Sequence, residues 1–263
     1  MKLDRIAILG AGNIGQAIGH AILIADLAGE VVITRQNDNF TEEEKKKFTC
    51  LTDNAEAVRK SSVVIIATQP KQADKLLLQI RDSITTEHLL ISVVSGLSIA
   101  RIEELIGKMP IVRAMLNTAI RVRQSMTFLA FSEVGREYRF VVEEVFKSVG
   151  LTLHIEEKMF PQATVLGGSG VALVLELLRA DMKSAIQHGF NAEEALTIAG
   201  QVFKGAAMLV QENHSHPEIE IDKVCTPKGC TVDLSATLAH EGATSAILKA
   251  NDAGIGKAEK LYT

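Results

Sequence analysis

The sequence is poor in cysteine and has no strong excess of either charge. Three cysteines occur in 263 residues, at Cys50, Cys225 and Cys230. Their odd number and their spacing fit neither a disulfide framework nor a zinc site, so we expect a reducing compartment, by default the cytoplasm. A formal net charge of -4 gives no basic excess that would favour nucleic acid as a partner.

The sequence also lacks the features of targeting and membrane-spanning segments. Met1 is followed by Asp4, Arg5 and a strand-like apolar run, without the long apolar stretch and small-residue cleavage site of a signal peptide. We expect no segment long and apolar enough to cross a bilayer. Apolar residues make up 47% of the chain, enough to bury a core, and the length favours two domains. The composition therefore predicts a soluble protein that handles a small molecule.

Short apolar runs alternate with helical patterns from Arg5 to about Ile155. This order is typical of parallel strands joined by crossover helices. Asp53 or Asn54 is expected to cap one of these helices, and Ser98 another. The predicted strands span residues 6–9, 31–34, 63–67, 89–94, 111–115, 127–130 and 151–155.

A glycine-rich turn, Gly10-Ala11-Gly12-Asn13-Ile14-Gly15, follows the first predicted strand and opens the first predicted helix. In this context Gly10 permits a tight turn, Gly12 lets a pyrophosphate approach the backbone, and Gly15 allows close helix-to-strand packing. The helix N-terminus, at Asn13 and Ile14, would face the phosphates. The alternative is an ordinary turn that happens to be rich in glycine. We predict a Rossmann-type α/β domain over residues 1–158, with a mainly parallel doubly wound sheet, that binds a nicotinamide cofactor.

The segment Thr34-Arg35-Gln36-Asn37 stands where NAD-specific sites place Asp or Glu, about twenty residues beyond the last glycine. Arg35 suits a 2′-phosphate, so the sequence favours NADP, with NAD still possible. The alternative is a solvated cation at the end of a strand. The charged run 42–47 predicts the solvated face of a short helix, without chemistry of its own.

Beyond residue 160 the strand pattern disappears. Nearly everything is predicted helical, with breaks at Gly189, in a loop over 217–229, and at Gly242. We therefore expect an all-α domain over residues 159–263. The helix over 171–186 is apolar almost all round and must be covered on most sides, which a domain of about a hundred residues rarely achieves alone. We predict that this helix lies in a subunit interface, in a homodimer or a higher homo-oligomer.

Three further stretches carry recognisable motifs: V-R-A-M-L-N-T at 112–118, A-T-V-L-G-G-S-G-V-A at 163–172, and D-K-V-C-T-P-K-G-C-T at 222–231. They resemble the V-R-x-M-P-N-T, S-G-S-G-P-A and V-x-S-P-G-G-T-T segments of pyrroline-5-carboxylate reductases, in family order and over essentially the whole chain. The turn at 67–71 falls in the same order, and the resemblance places a helix over 238–242 and a last helix after the third motif. The resemblance implies NAD(P)H-dependent reduction of the cyclic imine 1-pyrroline-5-carboxylate to L-proline, by an enzyme whose helical C-terminal domain dimerises and completes the substrate site.

The resemblance also implies roles for particular residues. Thr231 matches the threonine that hydrogen-bonds the imine nitrogen and is the catalytic candidate. The segment with Val224, Lys228, Gly229 and Cys230 would bind the substrate, with backbone amides holding its carboxylate. Strong acid–base groups are not required, because hydride transfer to a protonated imine removes a charge. The expected cofactor-binding residues are Gly10, Gly12, Asn13, Ile14, Gly15, Thr34, Arg35, Ala67, Thr68, Pro70, Lys71 and Asn117.

The chain departs from the family pattern at four positions. Leu116, Ala119 and Val171 stand in place of prolines, and Lys228 stands in place of a glycine. Lys228 adds a cation beside the carboxylate site, while fewer glycines restrict positive φ angles in that loop. Three alternatives stay open: a reductase of another imine, a hydroxy-acid dehydrogenase with Lys183 as its base, and a non-catalytic cofactor-binding relative.

Two pairs of polar residues are expected to have no special chemistry. His214 and His216 have no clear third ligand nearby in the sequence, so no metal site is predicted. Cys225 and Cys230 flank the substrate segment, with Lys228 as the one visible activating neighbour.

Overall fold

The computed structural model describes residues 2–261. The chain forms two compact units. The first comprises the residues up to Ser169 and those from Ile255 onward, and the second is Gly170–Gly254.

The strands of the first unit are β1 (Leu3–Leu9), β2 (Ala28–Thr34), β3 (Thr49–Leu51), β4 (Val63–Ile66), β5 (Leu89–Ser92), β6 (Ile111–Met115), β7 (Ser125–Phe131) and β8 (Gly150–His154). Within the described residues, they form one sheet of eight strands in the order β3-β2-β1-β4-β5-β6-β7-β8. All neighbouring pairs are parallel except β6 and β7. The chain crosses from one side of β1 to the other between β3 and β4, which makes the carboxyl end of β1 the topological switch point.

Helices cover both faces of this sheet. Ile6 and Ile8 of β1 belong to one buried cluster, and Ala7 and Leu9 to another, because successive strand residues point to opposite faces. The first cluster includes residues of the helices Asn13–Ile24 and Arg139–Lys147, and the second includes residues of the helices Asn54–Arg59, Pro70–Ile80 and Ile99–Ile106. The α-helices of this unit before residue 170 are α1 (Asn13–Ile24), α2 (Glu42–Lys47), α3 (Asn54–Arg59), α4 (Pro70–Ile80), α5 (Ile99–Ile106), α6 (Arg139–Lys147) and α7 (Phe160–Ala163).

The predicted α/β fold is confirmed. All seven expected strands are present, and the expected caps Asp53 and Ser98 accept hydrogen bonds from the first turns of α3 and α5. Strand β3 was not predicted, because it has only three residues and lies between two short helices. It nevertheless pairs with β2 and extends the sheet on the side of the glycine-rich turn.

The motif at 112–118 begins on a buried strand. Arg113 of β6 is only 2% exposed, and its Nη1 donates to Glu157 Oε1 at 2.7 Å. Its guanidinium also lies 4.2 Å from the centre of the Phe160 ring. Leu116, which stands where the family pattern has proline, packs into the core of the first unit.

The second unit is helical. Its helices are α8 (Gly170–Gln187), α9 (Ala192–Asn213), α10 (Pro217–Val224), α11 (Cys230–His240) and, for the part up to Gly254, α12 (Ala243–Glu259).

Two sequence predictions for this unit are wrong. The segment 217–229 was expected to be a loop, but its first eight residues form α10. Pro217 suits the first position of a helix, and His216 accepts a hydrogen bond from the Glu218 amide at 3.3 Å. In addition, α11 begins at Cys230 rather than near residue 238. Thr231 therefore lies in the first turn of a helix and not in a loop.

The second unit leaves most of its apolar side chains exposed. Of residues 170–254, Ala195 and Ala199 are buried. On α8 none is buried, and Leu175 is 56% exposed. Contiguous exposed apolar surface of this kind is typical of an interaction surface.

One helical run, Glu157–Gln187, is long and apolar enough to cross a membrane by length and composition. The expectation that the chain has no such segment is therefore wrong on those criteria. A single helix of this kind is weak evidence for a membrane span, because core helices of soluble proteins pass the same test. The run also contains a π-helical stretch at Thr164–Ser169.

Candidate functional site

A cavity of about 600 Å³ lies beside the glycine-rich turn at the carboxyl ends of β1, β2 and β4. Ligands of open α/β sheets bind in this position. Six of the predicted cofactor residues line it: Gly10, Gly12, Thr34, Arg35, Ala67 and Thr68. The lining does not include the other six, which are Asn13, Ile14, Gly15, Pro70, Lys71 and Asn117.

The three glycines of the turn occupy different environments. A Cβ on Gly12 would have no atom within 4 Å, so Gly12 faces open space. Gly10 has a φ of +108°, and a Cβ there would lie 2.7 Å from the Ala67 carbonyl oxygen. A Cβ on Gly15 would overlap the carbonyl oxygen of Gly10. Gly10 and Gly15 therefore shape the turn, while Gly12 leaves space for a ligand.

The N-terminus of α1 has no capping side chain, whereas Thr41, Asp53 and Ser98 cap α2, α3 and α5. The first amides of a helix need acceptors, and here they lie next to the space above Gly12. The Thr68 hydroxyl, another lining group, is buried without a hydrogen-bond partner. A dinucleotide would supply acceptors for both, so these residues fit a pyrophosphate-bearing cofactor.

Arg35 lies at the end of β2 and is tied to the turn. Its Nε and Nη2 donate to the Ala11 carbonyl oxygen at 3.1 and 2.9 Å. Its Nη1 donates to the Asn39 carbonyl oxygen at 3.2 Å and to Glu44 Oε2 at 3.1 Å. Nη2 also donates to Glu44 Oε1. Arg35 is therefore a hydrogen-bonded brace and not a solvated cation.

Glu44 departs from the expectation that the charged run 42–47 is a solvated face. The run does form α2, but Glu44 is only 6% exposed. It pairs with Arg35 and closes a capping box, in which its Oε2 accepts from the Thr41 amide at 2.6 Å. Burial alone would raise the pKa of Glu44, but the hydrogen bonds from Arg35 and Thr41 outweigh it and lower that pKa. Periodicity cannot reveal such a contact, because it depends on how α2 meets β2.

A second set of hydrogen-bonded polar side chains lies along the cavity. The Thr34 hydroxyl donates to Asn54 Oδ1 at 2.6 Å, and Asn54 Nδ2 donates to Gln79 Oε1 at 3.0 Å. Asn54 and Gln79 line the cavity with Gln72 and Lys75, and sequence reasoning missed all four. The signal available was position, since Asn54 follows the end of β3 and the others are on α4.

Asn117 has a visible local role. Its Oδ1 accepts from the Ala119 amide at 3.0 Å, and its Nδ2 donates to the Gly167 carbonyl oxygen at 2.9 Å. It thereby caps a 3₁₀ turn and fixes the π-helical stretch. Its role in binding the cofactor stays a prediction.

The predicted substrate residues lie together in the second unit, around the start of α11. Val224 ends α10, and Gly229 is the N-cap of α11, which has no capping side chain. Lys228, in the place of a family glycine, adopts a φ of +61°. The backbone therefore keeps the left-handed conformation that glycine favours, at a cost of about 1 kcal/mol. The amides of Cys230 and Thr231 form the first turn of α11, which suits a carboxylate.

Within residues 2–261, no group of three or more His, Cys, Asp or Glu residues could hold a metal ion. All three cysteines are free thiols; Cys50 and Cys225 are partly buried and Cys230 is exposed.

These features place the chain in the class of dinucleotide-binding proteins that have a Rossmann-type unit followed in sequence by a helical unit. Sequence models of two families match the chain. The model described as NADP oxidoreductase coenzyme F420-dependent matches residues 5–96. The model described as pyrroline-5-carboxylate reductase dimerisation matches residues 157–261.

Known relatives identify the family. Pyrroline-5-carboxylate reductase 2 of Dictyostelium discoideum is 35% identical over 93% of this chain and 88% of its own length. Pyrroline-5-carboxylate reductase 1 of the same organism is 38% identical over the whole chain, which spans 51% of that relative's length. The chain belongs to the pyrroline-5-carboxylate reductase family.

Solved structures agree on the fold. A pyrroline-5-carboxylate reductase from Coxiella burnetii superposes over all of both chains, with a TM-score of 0.91 at 26% identity. A Plasmodium falciparum pyrroline carboxylate reductase with NADP bound superposes over all of both chains, with a TM-score of 0.89 at 23% identity. The predicted fold class and family are confirmed, and the chain is a nicotinamide-dependent oxidoreductase.

Proposed function

We propose that this chain reduces 1-pyrroline-5-carboxylate to L-proline in proline biosynthesis, with NADPH or NADH as hydride donor. One observation carries the proposal: the glycine-rich turn opens an uncapped helix N-terminus into a cavity of about 600 Å³ at the switch point of the sheet. The family relation, which extends over nearly the whole chain, supplies the substrate.

The proposed chemistry needs few reactive side chains. When bound, the cofactor supplies a hydride to the imine carbon. The amides at the start of α1 bind the pyrophosphate and orient it. In the second unit, the amides of Cys230 and Thr231 hold the substrate carboxylate, with Val224, Lys228 and Gly229 forming the surrounding segment. The Thr231 hydroxyl hydrogen-bonds the imine nitrogen, which keeps its proton as the double bond becomes single. Orientation then accounts for most of the rate.

NADP is the favoured cofactor, because Arg35 stands where a 2′-phosphate is bound in NADP-specific sites. Lys75 adds a second cation to the cavity lining. NADH is accepted as well, because the Arg35 guanidinium already has hydrogen-bond acceptors within the protein and does not need a 2′-phosphate to satisfy it.

The helical segment is proposed to form a homodimer or a higher homo-oligomer, with residues 159–263 as the dimerisation and substrate domain and 1–158 as the cofactor domain. The exposed apolar side chains of α8 and the dimerisation model over 157–261 support this assignment. The odd number of free cysteines supports a cytoplasmic location.

The test follows nicotinamide absorbance with pyrroline-5-carboxylate and with a panel of other cyclic imines. We expect the fastest oxidation with pyrroline-5-carboxylate. Thr231→Ala should lower kcat by roughly ten- to a hundredfold while the dissociation constants of NADPH and NADH stay unchanged. Thr231→Ser, which keeps a hydroxyl, should retain most of the activity.

Thr237→Ala is the matched control, because Thr237 lies on the same helix and its hydroxyl donates only to the Asp233 carbonyl oxygen, at 2.8 Å. An unchanged rate in Thr231→Ala would remove Thr231 from the site. Cofactor binding without oxidation by any imine would refute the enzyme assignment and favour a non-catalytic relative.

A further inference from the structure

The cavity contains an arginine whose donors are all in use. Arg35 makes five hydrogen bonds: two to the Ala11 carbonyl oxygen, one to the Asn39 carbonyl oxygen and two to the carboxylate of Glu44. Five is the number of N–H groups that a guanidinium carries. A 2′-phosphate can therefore reach this guanidinium only by displacing an acceptor that is already there.

The three acceptors differ in how readily they can move. Ala11 belongs to the glycine-rich turn, and its carbonyl oxygen also accepts from Gln16 Nε2 at 3.1 Å. Asn39 contributes a backbone oxygen. Glu44 contributes a side chain, so it is the acceptor that rotates away at least cost to the backbone.

The charge of Glu44 makes it a direct competitor of a phosphate. Both groups are anions that bind a guanidinium through two oxygens. Glu44 is held in place by the Thr41 amide as well as by Arg35, and its lowered pKa keeps it ionised near neutral pH. While it remains there, it occupies the donors that a phosphate needs and repels the phosphate.

The other described residues that line the cavity offer few positive charges that could bind a 2′-phosphate in place of Arg35. Beyond Arg35, the one cationic side chain among them is Lys75, which is exposed on α4. Most of the remaining polar lining consists of amide and hydroxyl groups, such as Asn37, Thr52 and Gln72. These groups suit ribose hydroxyls at least as well as a phosphate.

We propose that Glu44 sets the cofactor selectivity of this cavity by competing with the 2′-phosphate of NADPH for Arg35. The proposal rests on the proposed function only in that a nicotinamide dinucleotide binds here. NADPH must break the Arg35–Glu44 pair, whereas NADH leaves it intact. Glu44 therefore keeps the affinities for NADPH and NADH similar. Its removal raises the affinity for NADPH relative to that for NADH.

Glu44→Gln tests this proposal, because glutamine keeps the size of the side chain and still closes a capping box. The dissociation constants of NADPH and NADH are measured by calorimetry on wild type and variant. Adenosine 2′,5′-bisphosphate and AMP serve as probes that lack the nicotinamide. We expect the NADPH constant and the bisphosphate constant to fall by roughly ten- to a hundredfold, the equivalent of one charged hydrogen bond. The NADH and AMP constants should change by no more than about twofold.

Glu42→Gln is the matched control, since it removes the same charge from the same helix at a side chain that is 84% exposed and far less constrained. It should leave all four constants unchanged. Glu44→Asp is the second variant, in case glutamine disturbs folding. It keeps the charge but draws it back from Arg35, so the NADPH to NADH preference should rise part of the way.

An unchanged ratio of NADPH to NADH affinities in a folded Glu44→Gln protein would overturn the proposal, and so would an equal gain for both cofactors. These outcomes leave the proposed function standing if the imine is still reduced. Conversely, dinucleotide binding without imine reduction refutes the function, while the affinity ratio still decides the role of Glu44. Wild-type protein that binds neither dinucleotide overturns both.

Discussion

Alanine at Gly12 and at Gly15 should have opposite effects, although both substitutions add one methyl group to the same turn. Gly12 faces open space, so its Cβ meets no protein atom within 4 Å. A Cβ on Gly15 overlaps the Gly10 carbonyl oxygen and lies 3.1 Å from Ile8 Cγ2. We expect Gly12→Ala to lose cofactor binding in a stable protein, and Gly15→Ala to lose stability.

The magnitudes follow from the local geometry. Gly12 is the N-cap of α1, with a φ of -80° and a ψ of -171° that alanine can adopt. The poorer N-cap costs a few tenths of a kcal/mol or more, and the stiffer unfolded chain offsets about the same, so the net change is within about 0.5 kcal/mol. At Gly15 the overlap involves backbone, and overpacking of this kind costs about 3 kcal/mol. For a chain of this size that lowers Tm by about 10 °C.

The assay pairs thermal unfolding with NADH and NADPH titration on each variant. Gly12→Ala should keep the wild-type Tm to within about 2 °C and weaken both cofactors by roughly ten- to a hundredfold, because the new methyl fills the space for the pyrophosphate. Wild-type affinity in Gly12→Ala would show that no pyrophosphate lies on this turn. Wild-type stability in Gly15→Ala would show that the close approach of Gly15 and Gly10 is wrong.

Two further predictions concern assembly and pH. Leu175→Glu, at a side chain 56% exposed on α8, should reduce the molecular mass measured by light scattering to that of one chain, while Ile24→Glu, at a side chain 67% exposed on α1, should leave the assembly intact; a wild-type mass for Leu175→Glu would exclude that face of α8 from the interface. The hydrogen bonds from Arg139 and Lys147 lower the pKa of Glu143 from the usual 4.5 to about 2. Because the folded-state pKa is the lower one, the stabilisation is complete above the unfolded pKa and is lost as pH falls through the folded one. Glu143→Gln should therefore lose about 1 kcal/mol of unfolding free energy at neutral pH, allowing for screening, and little at about pH 2; urea unfolding across this range checks it, and an equal loss at both ends would contradict the assignment.

The parts of the cofactor site that could be predicted are those formed by residues close together in the sequence. The glycine-rich turn, the strand before it and the helix after it are adjacent in sequence, so spacing alone predicts their arrangement. Thr34 follows in the same way, because it ends β2. Ala67 and Thr68, which come directly after β4, were expected only from the family resemblance. The seven strands that were predicted correctly are continuous apolar runs or alternating patterns, which the local sequence shows directly.

The backbone conformation of two segments of the second unit could not be predicted in this way. Lys228 is an example, since a lysine gives no sequence signal for the left-handed backbone that its loop adopts. Helix α10 is another, because Pro217 is equally compatible with a turn and with the first position of a helix. In each case the sequence permits two conformations, and packing chooses between them.

The sequence by itself determined the doubly wound architecture, the glycine-rich turn and the apolar character of α8, because each depends on residues close together in the chain. The tertiary structure alone decided what Arg35 does. Its sequence position suits a 2′-phosphate, but folding brings Glu44 of α2 against it, nine residues along the chain, and uses all five of its donors. The physical reason is that a guanidinium binds whichever anion the fold places within its reach, and no local pattern records which anion that will be.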